Sequence, residues 1–239
     1  MNAKISSAGN ACVVLPAAGC GERFGSELPK QFQEILGRPV LSFTIETFMM
    51  NSHVRKIIIL VNEQFLETTN NIVQKFHDGN FEKVVIASGG NTRHKTIANS
   101  LLIIENEGLS DNVIIVHDAV RPLCSQNVID EVIRLTQEHG ACGVSRPLVS
   151  TVLGVDQNFM TDSLDRRIHV NSEMPQGFTY SVFRSMYTKC DKMDYATGTE
   201  CLKLAKKYSN VTPFILKADE DLFKITYPKD LKSVEYLIN

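Results

Sequence analysis

The chain has 239 residues, 43% hydrophobic and 22% charged, the profile of a globular protein long enough to bury a core. Lys and Arg number 25 against 27 Asp and Glu, and the resulting net charge of −2 excludes a basic field for gripping a nucleic-acid backbone. The longest strongly apolar run, residues 57–61, is far shorter than the ~20 residues of a bilayer span, and the first ten residues lack the apolar core of a signal peptide, so the expected location is the cytoplasm. The six cysteines (Cys12, Cys20, Cys124, Cys142, Cys190 and Cys201) form no C-x-x-C pair and no Cys/His cluster of zinc-finger spacing. Reduced thiols are therefore expected, without a disulfide framework or structural zinc.

In chain order, the first apolar run, 11–17 (ACVVLPA), predicts a buried strand, and apolar residues at helical spacing over 39–50 predict a helix after it. The pairing repeats as 56–61 with 63–76, as 83–87 with 93–107, and as 112–117 with 126–138, the last behind a polar start at Ser125. Alternation of this kind implies βαβ units: an α/β fold with a Rossmann-like, mostly parallel sheet covered by helices on both faces. After Cys142 the rhythm changes. Short strands at 143–147 and 151–155 precede a polar stretch over 156–172, helices at 180–191 and 200–207, strand-like runs at 213–217 and 222–226, and a terminal helix from Pro228. With no repeat, low-complexity tract or flexible linker, one domain over 1–239 is the simplest organisation, with the stretch around 148–175 as an arm. An amphipathic arm excluded from the main core is usually buried by a partner subunit, so a homodimer is expected.

Three constellations point to chemistry. The first strand runs into LPAAGCGERFG (15–25), a small-residue loop at the carboxyl end of a strand, where open α/β sheets bind ligands. Gly19, Gly21 and Gly25 do not make the G-x-G-x-x-G fingerprint and no G-K-[ST] follows, so neither a dinucleotide site nor a P-loop is indicated, and a plain strand-to-helix turn is the other reading. Arg23 inside the loop and Lys30 seven residues on favour a phosphate role, because a triphosphate needs charge neutralised on several oxygens at once. In IVHDAVRP (115–122) a buried strand ends on His117 and Asp118. Asp118 is placed to hold Mg²⁺ against phosphates or, alternatively, to cap the next turn; His117 is read as structural, and Arg121 as a carboxylate partner or a ligand contact. In SGGNTRHKT (88–96), a glycine turn opens a helix whose free amides, with Thr92, Arg93 and Thr96, suit a base edge or a phosphate, while a capped helix start is equally consistent. There is no G-x-S-x-G elbow and no H-E-x-x-H, which leaves hydrolase chemistry without support.

Taken in order, LPAAGCGERFG (15–25), PKQF (29–32), SGGNTRHKTI (88–97), VHDAVRP (116–122), RPLVSTV (146–152), EMPQGF (173–178), GTECLKLA (198–205) and LFKITYPKDL (222–231) make the chain resemble a known family. It is the cytidylyltransferases that form CDP-linked polyols, which act on methylerythritol phosphate or ribitol phosphate, and the resemblance runs from residue 12 to the end. GCGER, RPLVSTV, SEMPQ and GTECL look like its animal, ribitol-type branch. Bacterial methylerythritol members typically read TPQ where this chain has Met174-Pro175-Gln176, TD at Thr199-Glu200, and N-I-K at Leu222-Phe223-Lys224.

The resemblance implies a nucleotidyltransferase type A fold, a dimerisation arm, and transfer of the cytidylyl group of CTP to D-ribitol 5-phosphate with Mg²⁺. Carried over residue by residue, Ala17, Ala18, Gly19, Gly89, Gly90, Arg93, Thr96 and Asp118 would bind the nucleotide, and Arg23, Lys30 and Lys224 would be catalytic. Asp118 and Asp221 would bind the metal, and Thr151, Arg166, Thr199 and Lys224 the polyol phosphate, with Thr151 and Arg166 reaching the neighbouring subunit's site. Vertebrate members of that branch carry a further C-terminal domain, and this chain is expected to stop where the transferase domain does. A methylerythritol-phosphate enzyme of the same class and a catalytically weak nucleotide-binding protein are the alternative readings.

Overall fold

The structure, a computed structural model, describes residues 10–19, 21, 24–218 and 222–238. Strand β1 (Ala11–Ala17) leads through the glycine loop to a 3-10 turn (Lys30–Phe32), a small hairpin of β2 (Glu34–Ile35) and β3 (Arg38–Pro39), and helix α1 (Val40–Met49). There follow β4 (Val54–Val61), α2 (Leu66–Phe76), β5 (Val84–Ser88), α3 (Arg93–Ala98), α4 (Ser100–Asn106), β6 (Val113–Val116), α5 (Gln126–His139) and β7 (Ala141–Pro147). The remainder is β8 (Leu153–Asp156), β9 (Phe159–Ser163), β10 (Val170–Thr179), α6 (Tyr180–Lys189), α7 (Lys192–Thr197), α8 (Cys201–Ser209), β11 (Phe214–Lys217) and α9 (Lys229–Ile238).

Seven strands form one sheet in the order β11-β7-β10-β6-β1-β4-β5. The run β6-β1-β4-β5 is parallel throughout, β11 is parallel to β7, and β10 is antiparallel to both its neighbours. Successive side chains of a strand point to opposite faces, and here both faces are covered. Val13, Leu15, Ile57, Ile59 and Ile115 pack on one side with Leu41, Phe48, Val73 and Ile133, while Val14, Ile58, Leu60 and Ile114 pack on the other with Ile97, Ile104, Phe183 and Leu204. That is why the strands read as unbroken apolar runs.

The chain moves outward from β1 to β4 and β5, then returns to lay β6 on the opposite side of β1. Such a reversal opens a crevice beyond the carboxyl ends of β1 and β6, the place where open α/β sheets take ligands. Ser125 caps α5 by accepting from Val128 N, and Gly140, at φ +82°, ends it in a left-handed turn into β7. No helix of the described residues is long and apolar enough to cross a membrane.

Departures from the sequence reading begin at residue 93. The helix expected over 93–107 is two, α3 and α4, meeting at Asn99. The run 222–226 joins no strand ladder; Ile225 N donates to Val120 O and the segment crosses the cleft edge as irregular chain. The polar stretch over 156–172 holds β9 and the start of β10, a ten-residue strand whose inner half is buried through Glu173, Met174 and Gln176. Between β7 and β10, the chain forms the separate hairpin β8–β9, with Val155 63%, Phe159 76% and Met160 62% exposed.

Candidate active site

The cleft at the end of β1 has a volume of about 650 Å³, the size of a nucleotide pocket. Its floor is Pro16, Ala17, Ala18 and Gly19. Buried Gln31 pins this loop by donating from Nε2 to Ala17 O at 2.6 Å and to Gly19 O at 3.2 Å. Gly21 sits at φ +71°, a backbone conformation open to glycine at no steric cost, and turns the chain toward Lys30. Across the cleft, a Cβ on Gly89 would stand 2.6 Å from Ala18 Cβ and 3.0 Å from Thr96 Cγ2, so glycine there lets β5 close against β1's loop. Thr96 Oγ1 exchanges hydrogen bonds with Gly90 N and Gly90 O at 3.0 Å, and Thr92 Oγ1 accepts from Lys95 N. The capped-helix reading of this turn therefore holds for these amides, and the cleft receives Thr96, Thr92 and Asn91.

Asp118, just past β6, is the charge centre. Its Oδ1 accepts from Arg93 Nη2 at 3.1 Å, and its Oδ2 meets Arg121 Nε at 3.1 Å and Lys224 Nζ at 2.8 Å. Burial pushes this carboxyl up, but the three cations overcome that and hold it well below the ordinary carboxylate range. Arg93 also donates from Nη1 to Cys201 Sγ at 3.2 Å, and burial keeps that thiol's pKa raised. Lys30 Nζ donates to Ile225 O at 3.0 Å, bringing the segment that follows the glycine loop against the one that carries Lys224. His117 is fully buried, with Nε2 bonded to Arg121 O at 2.9 Å; it shapes the Asp118–Arg121 turn, in line with a structural role. Arg121 resolves as a carboxylate partner, to Asp118 and Glu173, and is not among the residues lining the cleft.

Of the residues singled out in the sequence, Ala17, Ala18, Gly19, Lys30, Gly90, Arg93, Thr96, Asp118 and Lys224 meet around this one cleft, with Gly89 directly behind its wall. Arg23, Cys20 and Asp221 lie outside the described residues. Thr151 and Arg166 are exposed at the two ends of the β8–β9 hairpin, where Arg166 Nη1 donates to Val149 O, and Thr199 is exposed between α7 and α8; none of the three is among the cleft-lining residues. Gln31, Asn62 and Glu173 escaped the sequence reading. The signal available for Gln31 was its place in PKQF beside Lys30, and for Glu173 its place at the head of EMPQGF, whereas nothing local distinguishes Asn62.

A glycine-walled, cation-rich cleft at the switch point of a mostly parallel sheet is the architecture of a nucleotidyltransferase-type α/β protein. The chain belongs to the IspD family, 2-C-methyl-D-erythritol 4-phosphate cytidylyltransferase, whose model matches residues 11–239. Among its relatives, D-ribitol-5-phosphate cytidylyltransferase of Xenopus tropicalis is 42% identical over 96% of this chain and 57% of that protein, and that of Homo sapiens 38% identical over 94% and 51%. The chain thus spans about half the length of these curated relatives. The 2-C-methyl-D-erythritol 4-phosphate cytidylyltransferase of Acidobacterium capsulatum is 29% identical over 95% of this chain and 96% of its own. The crystal structure of the Francisella tularensis 2-C-methyl-D-erythritol 4-phosphate cytidylyltransferase superposes with a TM-score of 0.79 at 26% identity, covering 95% of this chain and 99% of that one.

Proposed function

We propose that this protein transfers the cytidylyl group of CTP to D-ribitol 5-phosphate, giving CDP-ribitol and pyrophosphate. The observation that carries the reading is the Asp118 cluster: three cations converge on one carboxylate at the mouth of a glycine-floored cleft, beside Lys30. A surplus of fixed positive charge beside a loop that admits close backbone approach suits a triphosphate. The higher identity to ribitol-type relatives supports ribitol 5-phosphate as acceptor over methylerythritol 4-phosphate.

In this reading Ala17, Ala18, Gly19, Gly90 and Thr96 seat the cytidine end, with Gly89 keeping the wall thin. Lys30, with Arg23, neutralises the triphosphate, and Lys224 and Thr199 receive the polyol phosphate. An oxygen of that phosphate attacks the α-phosphorus of CTP in line; the new P–O bond forms as the bond to pyrophosphate breaks, and the electron pair leaves with pyrophosphate. A phosphate monoester dianion is already nucleophilic, so no strong base and no covalent enzyme intermediate are required. The residues contribute positioning and charge neutralisation.

Asp118 would take a divalent cation through Oδ1, which carries one contact, from Arg93, against two on Oδ2. It lines the cleft as an ionised carboxylate, and Mg²⁺ in nucleotide sites characteristically takes one or two protein carboxylates beside phosphate oxygens and water. The described residues hold no cluster of three or more His, Cys, Asp or Glu side chains suited to a metal. Asp118, with Asp221, would hold the ion, which when bound supplies charge neutralisation on the phosphates.

The arm reading extends to assembly: the exposed apolar hairpin β8–β9 packs on a second copy of the chain, and Thr151 and Arg166 serve the neighbouring site. A cytosolic location goes with this reading. The test is product formation from CTP and ribitol 5-phosphate by wild type and by Lys30→Ala. The variant is expected to lose about 10²- to 10³-fold in kcat with little effect on folding beyond the lost Lys30–Ile225 contact, and wild-type turnover in it would sink the assignment.

A further inference from the structure

Glu173 is 5% exposed, and a carboxylate so buried is tolerated only when its oxygens are paired. Both are. Arg121 Nη1 donates to Oε2, while Arg146 Nε and Nη2 donate to Oε1 at 2.9 and 2.7 Å. Arg121 in turn donates from Nε to Asp118 Oδ2 and from Nη1 also to Leu222 O, two residues before Lys224. One guanidinium thus ties β10, the turn after β6 and the Lys224 segment together, and Glu173 is the anion that fixes its far side. Without Glu173, Asp118 would be the one carboxylate left to buried Arg121 among the described residues, and the pull of Arg121 would draw it from Arg93 and Lys224.

We propose that Glu173 is a positioning residue: by holding Arg121 it sets both the Asp118 carboxylate and the Leu222–Lys224 segment, and so aligns Lys224 for the polyol phosphate. The inference rests on the reading given under Proposed function. It concerns a residue that does not line the cleft and acts on the acceptor side through two intermediaries.

Glu173→Gln keeps the volume and one acceptor oxygen but removes the charge. Steady-state kinetics should show KM for ribitol 5-phosphate raised about tenfold and KM for CTP raised only about threefold, because Gln31 and Thr96 hold the glycine walls apart from Arg121, while Asp118 and the Lys30–Ile225 contact carry a smaller part of the effect to the nucleotide side. Hydrogen exchange of the ligand-free protein should quicken about tenfold at residues 222–226, while α5 stays protected. Arg146→Met, which removes the clamp from its half-exposed side, should move both readouts in the same direction by less, and decides the matter if Glu173→Gln does not fold. Equal losses for both substrates that track a smaller folded fraction would mark Glu173 as merely structural and overturn the inference, as would unchanged KM values and exchange. If wild type transfers cytidylyl to no polyol phosphate, the functional reading fails, while the exchange experiment still decides the role of Glu173.

Discussion

Lys224 and Asp118 lie more than a hundred residues apart in sequence, yet Lys224 Nζ stands 2.8 Å from Asp118 Oδ2, and this contact joins the C-terminal segment to the central strand's edge. The Asp118 carboxylate is also what allows Arg93 and Arg121 to sit side by side. Asp118→Asn should therefore damage both fold and function. It takes the counter-charge from Arg93 and Lys224 and leaves Arg121 to Glu173, and breaking a buried ion pair from one side costs about 3–5 kcal/mol. A chemical-denaturation midpoint equal to wild type would contradict the assigned geometry.

Stability should fall in mild acid. Burial pushes the His94 imidazole down from 6.5 to about 4, with Arg93's charge adding to the effect, and burial alone dominates the same shift at His117. Unfolded, both titrate near 6.5, so between 6.5 and 4 the unfolded chain binds protons the folded chain refuses, and stability drops as pH falls through that window. Asp118 acts in the same direction lower down, its contribution present above the ordinary carboxyl value of 3.8 and lost below it. Thermal midpoints recorded from about pH 7.5 to about pH 4.5 should decline, and the decline should flatten in His94→Gln/His117→Gln. An identical slope in the double variant would show that these histidines do not control it.

Strands β1, β4, β5 and β6 were legible because burial on both faces leaves them continuous apolar runs. Strand β10 was not. Its buried half mixes Glu173, Pro175 and Gln176 with Met174, Gly177 and Phe178, and what makes Glu173 an interior residue is a pair of arginines supplied by β7 and by the loop after β6. Leu222–Thr226 erred the other way: its apolar residues read as a strand, but Leu222 and Ile225 are buried by packing in two small clusters, with no ladder alongside. At the site, Lys30 and Asp118 carry their own signals as charges next to a glycine loop and a strand end, whereas Lys224 enters only through the family resemblance. Arg121 became a hub only through tertiary contacts, which no local pattern encodes.

The arm offers a test of assembly. If Arg166 serves the neighbouring subunit, Arg166→Ala and Lys30→Ala homodimers should each be inactive, yet subunit exchange between them should restore about a quarter of wild-type activity, since half the dimers are mixed and each has one intact site. No recovery after exchange, verified by mass of the mixed dimers, would place Arg166 outside the partner's site.

The most direct test of the central claim is pyrophosphate release from CTP and Mg²⁺ with ribitol 5-phosphate, methylerythritol 4-phosphate or ribulose 5-phosphate as acceptor. Release with ribitol 5-phosphate well above that with either of the others is the predicted result. Preference for methylerythritol 4-phosphate would contradict the acceptor assignment, and no release with any acceptor would contradict the enzyme assignment itself.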